Sequence, residues 1–132
     1  MASVEACRRN PSFKAGIDLD GPLKERPFKT DSIHQPFLTI AAGTGLSPYN
    51  KEKPEETGYE DWDAFHKIAS SSSIQHFLDA DHSDFTMKPW FFHTMGAPEM
   101  AGIALDELRA FHEKTCASIV EFFTLNLKKN PK

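Results

Sequence analysis

Two stretches of the chain each carry a side chain that could take part in acid–base chemistry. The first, Ala15 to Leu23, reads as a short buried strand that stops at Asp20, where a Gly-Pro pair turns the chain away. The second, Ile74 to Thr86, begins as a strand and leads to His82. In an open parallel sheet, ligands bind beyond the carboxyl ends of the strands, so both side chains are candidate site residues. A carboxylate and a histidine are two of the three groups of a hydrolytic triad.

The apolar periodicity of the chain predicts the elements that must position these residues. The run 36–42 is almost continuously apolar, which is typical of a strand covered on both faces. A long amphipathic helix closes the chain, and its apolar residues, Val120 and Leu127 among them, fall mainly on one face. The alternation of helices and strands favours an α/β fold with a parallel sheet of about three strands and flanking helices. The predicted elements are helix 2–9, strand 15–20, strand 36–42, helix 61–69, strand 74–80 and helix 105–127.

The segments between these elements are predicted to be connections. Residues 21–34 and 46–60 are polar and rich in proline, which is typical of surface loops. The serines from Ser70 to Ser73 read as a connector, and the Phe-, Trp- and Pro-rich stretch after the third strand reads as another loop.

Composition bounds the class of protein. A chain of 132 residues with 39% hydrophobic and 26% charged residues fits a single globular domain, and its net charge of −4 gives no reason to expect nucleic acid as a partner. No apolar run is long enough to span a bilayer, and the charged start lacks the apolar core of a signal peptide, so a cytoplasmic location is the default expectation. Cys7 and Cys116 have neither metal-binding nor disulfide-framework spacing and are expected to be reduced, buried thiols.

Four stretches of the chain form a pattern when taken in order: Cys7–Gly21, Gln35–Ile40, Asp61–Phe65 and Asp81–Thr86. Together they resemble the serine α/β-hydrolase family, in the branch that includes platelet-activating-factor acetylhydrolases and dienelactone-hydrolase-like esterases. They are similar to the strand with the triad acid and the helix before it, the next core strand, the helix before the last strand, and the histidine loop. One departure is Met87, where the family often carries an acid.

The resemblance implies roles for the two candidate residues. Asp20 would accept the Nδ1–H of His82, and His82 would take the proton of a serine hydroxyl. The acid comes before the histidine along the chain, which matches the order serine, acid, histidine of the triad in the α/β-hydrolase fold. The implied activity is carboxylic-ester hydrolysis, on a short-acyl or phospholipid ester, without metal or organic cofactor.

The third member of the triad is missing from the sequence. No Gly-x-Ser-x-Gly occurs in the chain, and the family pattern places the nucleophile several residues before Met1. Ser3 would lie in the helix that follows the nucleophile and is not a substitute. Residues 1–132 are therefore expected to be the carboxyl-terminal portion of one hydrolase domain, inactive alone, with a complementing amino-terminal half or self-association at an open sheet edge.

A second interpretation is a magnesium-dependent phosphatase. The stretch around Asp18 and Asp20 also resembles the Asp-x-Asp motif of haloacid-dehalogenase-like enzymes, in which the first acid attacks phosphorus and the second is the general acid. Thr44 and the acids after the third strand could serve as the later motifs. Pro22 stands where that family has threonine, and no lysine fits its third motif.

Two further interpretations stay open. The acids and histidine between Asp79 and Asp84 could form a divalent-metal cluster, but their spacing fits no closed ligand set, and neighbouring strand residues point to opposite faces. Alternatively, the chain could be a non-catalytic half-domain that acts as an interaction module, which the missing nucleophile would fit equally well.

Overall fold

The computed structural model describes residues 2–21, 33–42, 69, 71–77 and 79–127. Within them the chain forms a three-stranded parallel sheet with flanking helices, which confirms the predicted α/β arrangement. The helices are α1 (Ala2–Arg9), α2 (Lys88–Thr94) and α3 (Leu105–Leu127), and the strands are β1 (Gly16–Leu19), β2 (Phe37–Ala42) and β3 (Ser72–Phe77). Two short 3₁₀ turns span His82–Phe85 and Pro98–Met100.

Strand β2 is the centre of the sheet. The strand order is β1-β2-β3, and β2 pairs in parallel with both neighbours, with Gly16 opposite Phe37 on one side and Ser72 opposite Phe37 on the other. All six residues of β2 are buried, as its continuous apolar run predicts. Because all three strands run the same way, their carboxyl ends meet at one edge of the sheet.

The alternation of side chains along β2 divides the core into two layers. On one face, Phe37 packs with Val4 and Cys7 of α1. On the other face, Leu38 and Ile40 form a second buried cluster. The residues that pack against this second cluster include Phe85, Phe111, Ile119 and Phe122, most of them from α3.

Helix α1 lies close against β1 at a glycine. A Cβ atom on Gly16 would lie 2.7 Å from the Phe37 ring and 2.8 Å from Cys7 Sγ, nearer than such atoms approach in folded proteins. On the exposed side of α1, Glu5 bonds to Arg8 and Arg9, and these hydrogen bonds, that from Arg8 first, lower the pKa of Glu5 to about 2.

The third strand is displaced from its predicted position. It begins at Ser72 and ends at Phe77, so the assignment of Ser72 and Ser73 to a connector is wrong. Serine has little strand preference of its own, but backbone pairing with β2 places Ser72 and Ser73 in the strand. The pairing starts one residue earlier, where the Phe37 N–H donates to the Ser71 carbonyl. After Phe77 the chain turns, with the Ala80 N–H bonded to the Phe77 carbonyl.

The stretch predicted as a loop after the third strand contains a helix. Helix α2 has Pro89 in its first turn, where the fixed φ of proline suits a helix and its missing N–H costs nothing. Proline at this position indicates the start of a helix, although a stretch rich in Phe, Trp and Pro suggests a loop. The Trp90 indole N–H donates to His112 Nε2 over 3.0 Å, which joins α2 to α3.

Helix α3 has the predicted bounds but a narrower buried face. Leu108 and Thr115 are buried, whereas Val120 is 64% exposed and Leu127 is also exposed, so these two apolar residues do not join the core among the described residues. Cys116 is exposed, contrary to expectation, and Cys7 is buried, which raises the pKa of its thiol.

Several predicted segments lie outside the described residues. They are residues 22–32 of the predicted loop 21–34, the whole predicted loop 46–60, and residues 61–68 of the predicted helix 61–69. Thr44 of the phosphatase interpretation also lies outside the described residues. In the part of the chain that the structure describes, none of the helices has the length and apolar character to cross a membrane.

Replacing Gly16 by alanine should destabilise the fold. The new methyl group would press on Phe37 and Cys7, and such overpacking typically costs about 1–3 kcal/mol. The measurement is the denaturation midpoint of the 132-residue chain. Cys7→Ala in the same background should recover part of the loss, and Lys14→Ala, at an exposed position before β1, is the matched control. A Gly16→Ala protein as stable as the parent would contradict the close packing of α1 on β1.

Candidate active site

Asp20 stands at the point where the chain leaves the sheet. It follows the last residue of β1, its N–H still bonds to the Ile40 carbonyl of β2 at 2.7 Å, and its φ is +51°. This left-handed conformation is costly for most residues, and aspartate is among the few that adopt it. Asp20 is the only non-glycine residue with positive φ in the described ranges.

The neighbouring acid, Asp18, closes the turn around Asp20. Its Oδ2 accepts the Gly21 N–H at 2.6 Å, and its Oδ1 accepts the Ser3 hydroxyl of α1 at 3.2 Å. Asp18 is buried, on the side of the sheet that α1 covers. Ser3 lies within α1, as predicted, and serves this structural contact.

The Asp20 carboxylate is held through both of its oxygens. Oδ1 accepts the Ala42 N–H at the end of β2 at 2.7 Å, and Oδ2 lies 2.6 Å from Nδ1 of His82. The Asp20 side chain is only 6% exposed, whereas that of His82 is 56% exposed. The buried carboxylate is therefore fixed in orientation and presents one oxygen to a solvent-accessible imidazole.

His82 reaches this carboxylate from the far side of the sheet. It begins the 3₁₀ turn that follows β3, and Asp20 follows β1, so the two residues are 62 positions apart and come from strands that do not pair. Their contact passes over the carboxyl end of β2. The structure thus brings together the two predicted site residues at the edge where parallel sheets bind ligands.

The backbone around His82 is closed by a capping box. The side chain of Asp81 accepts the backbone N–H of Asp84, and the Asp84 side chain accepts the Asp81 N–H at 2.8 Å. Next to it, the Phe85 ring packs edge-to-face on Phe111 of α3 with centroids 4.8 Å apart. The turn that carries His82 is thereby anchored to the core.

The contact with Asp20 selects one form of the neutral imidazole. A carboxylate only accepts hydrogen bonds, so the Nδ1 atom of His82 carries the hydrogen. Nε2 is then an unprotonated nitrogen with a lone pair on the opposite side of an exposed ring. Such a nitrogen can take a proton from a hydroxyl or a water molecule, and the carboxylate stabilises the imidazolium that forms.

The acids near His82 have structural partners. Asp84 is buried and bonds within the turn, and Asp81 caps the same turn. Among the residues that the structure describes, no group of three or more His, Cys, Asp or Glu side chains is arranged to hold a metal ion. Two other histidines have contacts of their own: His93 Nε2 contacts the Ile103 carbonyl, and His112 Nε2 accepts the Trp90 indole N–H.

Two features of the site were not predicted. One is the Ala42 N–H that orients Asp20, which no side-chain pattern can reveal because the donor is backbone. The other is the capping box, for which a signal existed, because the acids Asp81 and Asp84 have the i, i+3 spacing of that motif.

The comparisons with known proteins return no relatives. No protein-family model matches the chain, and no curated protein or solved structure matches it either.

Asp20→Asn should change the tautomer of His82 without unfolding the turn. Asparagine tolerates a positive φ as aspartate does, but its amide can donate to Nδ1 and so favour the Nε2–H tautomer. The measurement is the long-range ¹H–¹⁵N spectrum of ¹⁵N-histidine-labelled chain at a pH where histidine is neutral. Asp79→Asn, at an exposed acid before the turn, should leave the pattern unchanged. An Nδ1–H tautomer that persists in Asp20→Asn would refute the assigned hydrogen bond.

Proposed function

We propose that Asp20 and His82 are the acid and base of a carboxylic-ester hydrolase of the serine α/β-hydrolase type. The observation that carries the proposal is the 2.6 Å contact between Asp20 Oδ2 and His82 Nδ1 at the carboxyl edge of a parallel sheet. The acid is buried and the base is accessible, which is the division of roles that the chemistry needs.

In the proposed reaction, His82 Nε2 removes the proton from a serine hydroxyl as its oxygen attacks the ester carbonyl. The negative charge moves to the carbonyl oxygen, and the imidazolium is stabilised by Asp20. His82 then gives the proton to the departing alcohol, which leaves an acyl-serine. Water attacks this acyl group by the same sequence, with His82 again as base, and releases the acid.

The serine of the proposed reaction lies on polypeptide outside these 132 residues, since the chain has no Gly-x-Ser-x-Gly. It would be supplied either upstream in the same protein or by a complementing partner. The oxyanion donors of this fold belong to the same missing parts. The proposed substrate is a short-acyl or phospholipid ester, on the strength of the sequence resemblance alone, and the proposed reaction uses no cofactor.

The contacts of Asp18 favour this proposal over a phosphatase. A nucleophilic aspartate must present an oxygen to phosphorus, but the Asp18 oxygens accept hydrogen bonds from Gly21 and Ser3, and the side chain is buried beneath α1. Asp20, the general acid of the phosphatase interpretation, is instead bonded to His82. These contacts suit a structural Asp18 and an Asp20 that works through histidine.

The 132-residue chain by itself should hydrolyse no ester. The activated serine and the oxyanion donors both lower the barrier strongly, and the chain contains no motif for either. The tests are p-nitrophenyl acetate turnover and labelling by a serine-directed fluorophosphonate. Stoichiometric labelling of any serine in this chain would count against the proposal.

In the complete enzyme, with the polypeptide that carries the serine, Asp20→Asn should lower ester hydrolysis by about 10⁴-fold, as expected when the tautomer of a triad histidine is wrong. His82→Ala should be at least as damaging because the serine loses its base. Asp18→Asn is the matched control: its amide oxygen can still accept the Gly21 N–H, so most activity should remain. The measurement is kcat/KM for an acetyl ester.

A phosphatase predicts the opposite order for the same variants. Asp18→Asn would abolish release of phosphate from an aryl phosphate, the activity would be lost with EDTA, and His82→Ala would be mild. Loss of ester hydrolysis in Asp18→Asn but not in Asp20→Asn would contradict the assignment of Asp20 as the acid of the triad. A complete protein that hydrolyses neither substrate would favour the interaction module.

A further inference from the structure

The exposure of His82 raises the question of what holds its ring in place. The side chain is 56% exposed, so packing covers less than half of it. Its bond to Asp20 is a single contact, and one hydrogen bond typically contributes only about 0.5–1.5 kcal/mol. The position of the ring therefore depends on the backbone from which it projects.

That backbone is a four-residue 3₁₀ turn, which has little stability of its own. The first N–H groups of any such turn lack partners within it and need other acceptors. Here the Asp81 side chain accepts the Ser83 N–H and also the Asp84 N–H, which donates to the Asp81 carbonyl as well. In return, the Asp84 side chain accepts the N–H of the cap residue Asp81.

The two acids of the capping box are in different environments. Asp81 is exposed, so water can substitute for its contacts. Asp84 is 5% exposed, and its Oδ2 takes the Asp81 N–H at 2.8 Å in the interior of the turn. Water replaces a buried acceptor less readily than an exposed one, so we expect loss of the Asp84 carboxylate to cost more than loss of the Asp81 carboxylate.

The far end of the turn is held by different contacts. Phe85 packs on Phe77 of β3 and on Phe111 of α3, and the Thr86 hydroxyl donates to the Ser83 carbonyl. These contacts fix where the turn ends. The capping box lies at the start of the turn, the side on which His82 stands.

We propose that Asp84 is a positioning residue, whose buried carboxylate closes the capping box and so keeps His82 Nδ1 on Asp20 Oδ2. The effect of Asp84 on the position of the His82 ring can be measured in the 132-residue chain itself. Its consequence for catalysis rests on the proposed function. Asp84 bonds to backbone in this role and takes no part in proton transfer.

The test compares Asp84→Ala with Asp84→Asn in the 132-residue chain labelled with ¹⁵N-histidine. The alanine variant removes the acceptor, so the Nδ1–H resonance of His82 should broaden or disappear, while the amide signals of β2 and α3 persist. The asparagine variant keeps an acceptor oxygen and should retain the resonance. Asp79→Asn is the control for removing a nearby acid.

Three outcomes would overturn the positioning role. One is a His82 Nδ1–H resonance that is unchanged in Asp84→Ala. Another is its loss in Asp84→Asn, because the acceptor is then not what matters. If Asp84→Ala unfolds the chain, Asp84→Leu decides: it fills the same buried volume without an acceptor, and an unaltered His82 resonance there contradicts the inference.

The kinetic arm separates this inference from the proposed function. In the complete enzyme, Asp84→Ala should lower kcat by about 10²-fold, the loss expected for a catalytic group misplaced by about 1 Å, with KM little changed. Asp84→Asn should restore most of the rate. If the resonances behave as expected but the complete protein hydrolyses no ester, the proposed function fails and the positioning role stands. A normal kcat in Asp84→Ala despite the lost resonance would refute the catalytic consequence.

Discussion

The site depends on how the Asp20 carboxylate is held at the carboxyl edge of the sheet. The residue adopts a left-handed backbone conformation that costs energy, and its side chain is withdrawn from solvent. Both penalties are offset locally, since the Asp20 N–H bonds to Ile40, Oδ1 accepts the Ala42 N–H and Oδ2 contacts His82. Because two of these three contacts go to β2, the central strand determines the direction in which Asp20 points.

The burial of β2 explains why the two helical layers matter to the site. A strand with all six residues buried needs cover on both faces, which α1 supplies with Val4 and Cys7, and α3 with Phe111 and its neighbours. The α1 layer also bonds Asp18 through Ser3, and the α3 layer receives Phe85 from the histidine turn. Each member of the Asp20–His82 pair is thus supported by a different layer, and the pair joins them over the end of β2.

The sequence allowed prediction of β2, because a continuous apolar run is typical of a strand covered on both faces. It also allowed Asp20 and His82 to be placed after strands, whereas the contact between the two was implied only by the family resemblance. It did not allow the start of β3 to be placed, since Ser72 and Ser73 enter the strand through backbone pairing that side-chain pattern does not encode. Helix α2 is not predicted because its stretch is rich in Phe, Trp and Pro, a composition typical of loops, although proline in a first turn starts helices. The positive φ of Asp20 and the Ala42 donor are tertiary features, which no local pattern carries.

The separation of Asp20 and His82 along the chain bears on how such a pair can be preorganised. Bringing together residues 62 positions apart costs loop-closure entropy, which a hydrogen bond to a half-exposed ring cannot offset alone. The parallel pairing of β1, β2 and β3 and the packing of Phe85 have already brought the two ends together before the contact forms. The contact itself is therefore left to fix the tautomer and direction of one imidazole. A substitution at Asp20 can therefore change the tautomer of His82 while the sheet stays folded. The capping box of Asp81 and Asp84 links the backbone of the turn to the position of the His82 ring.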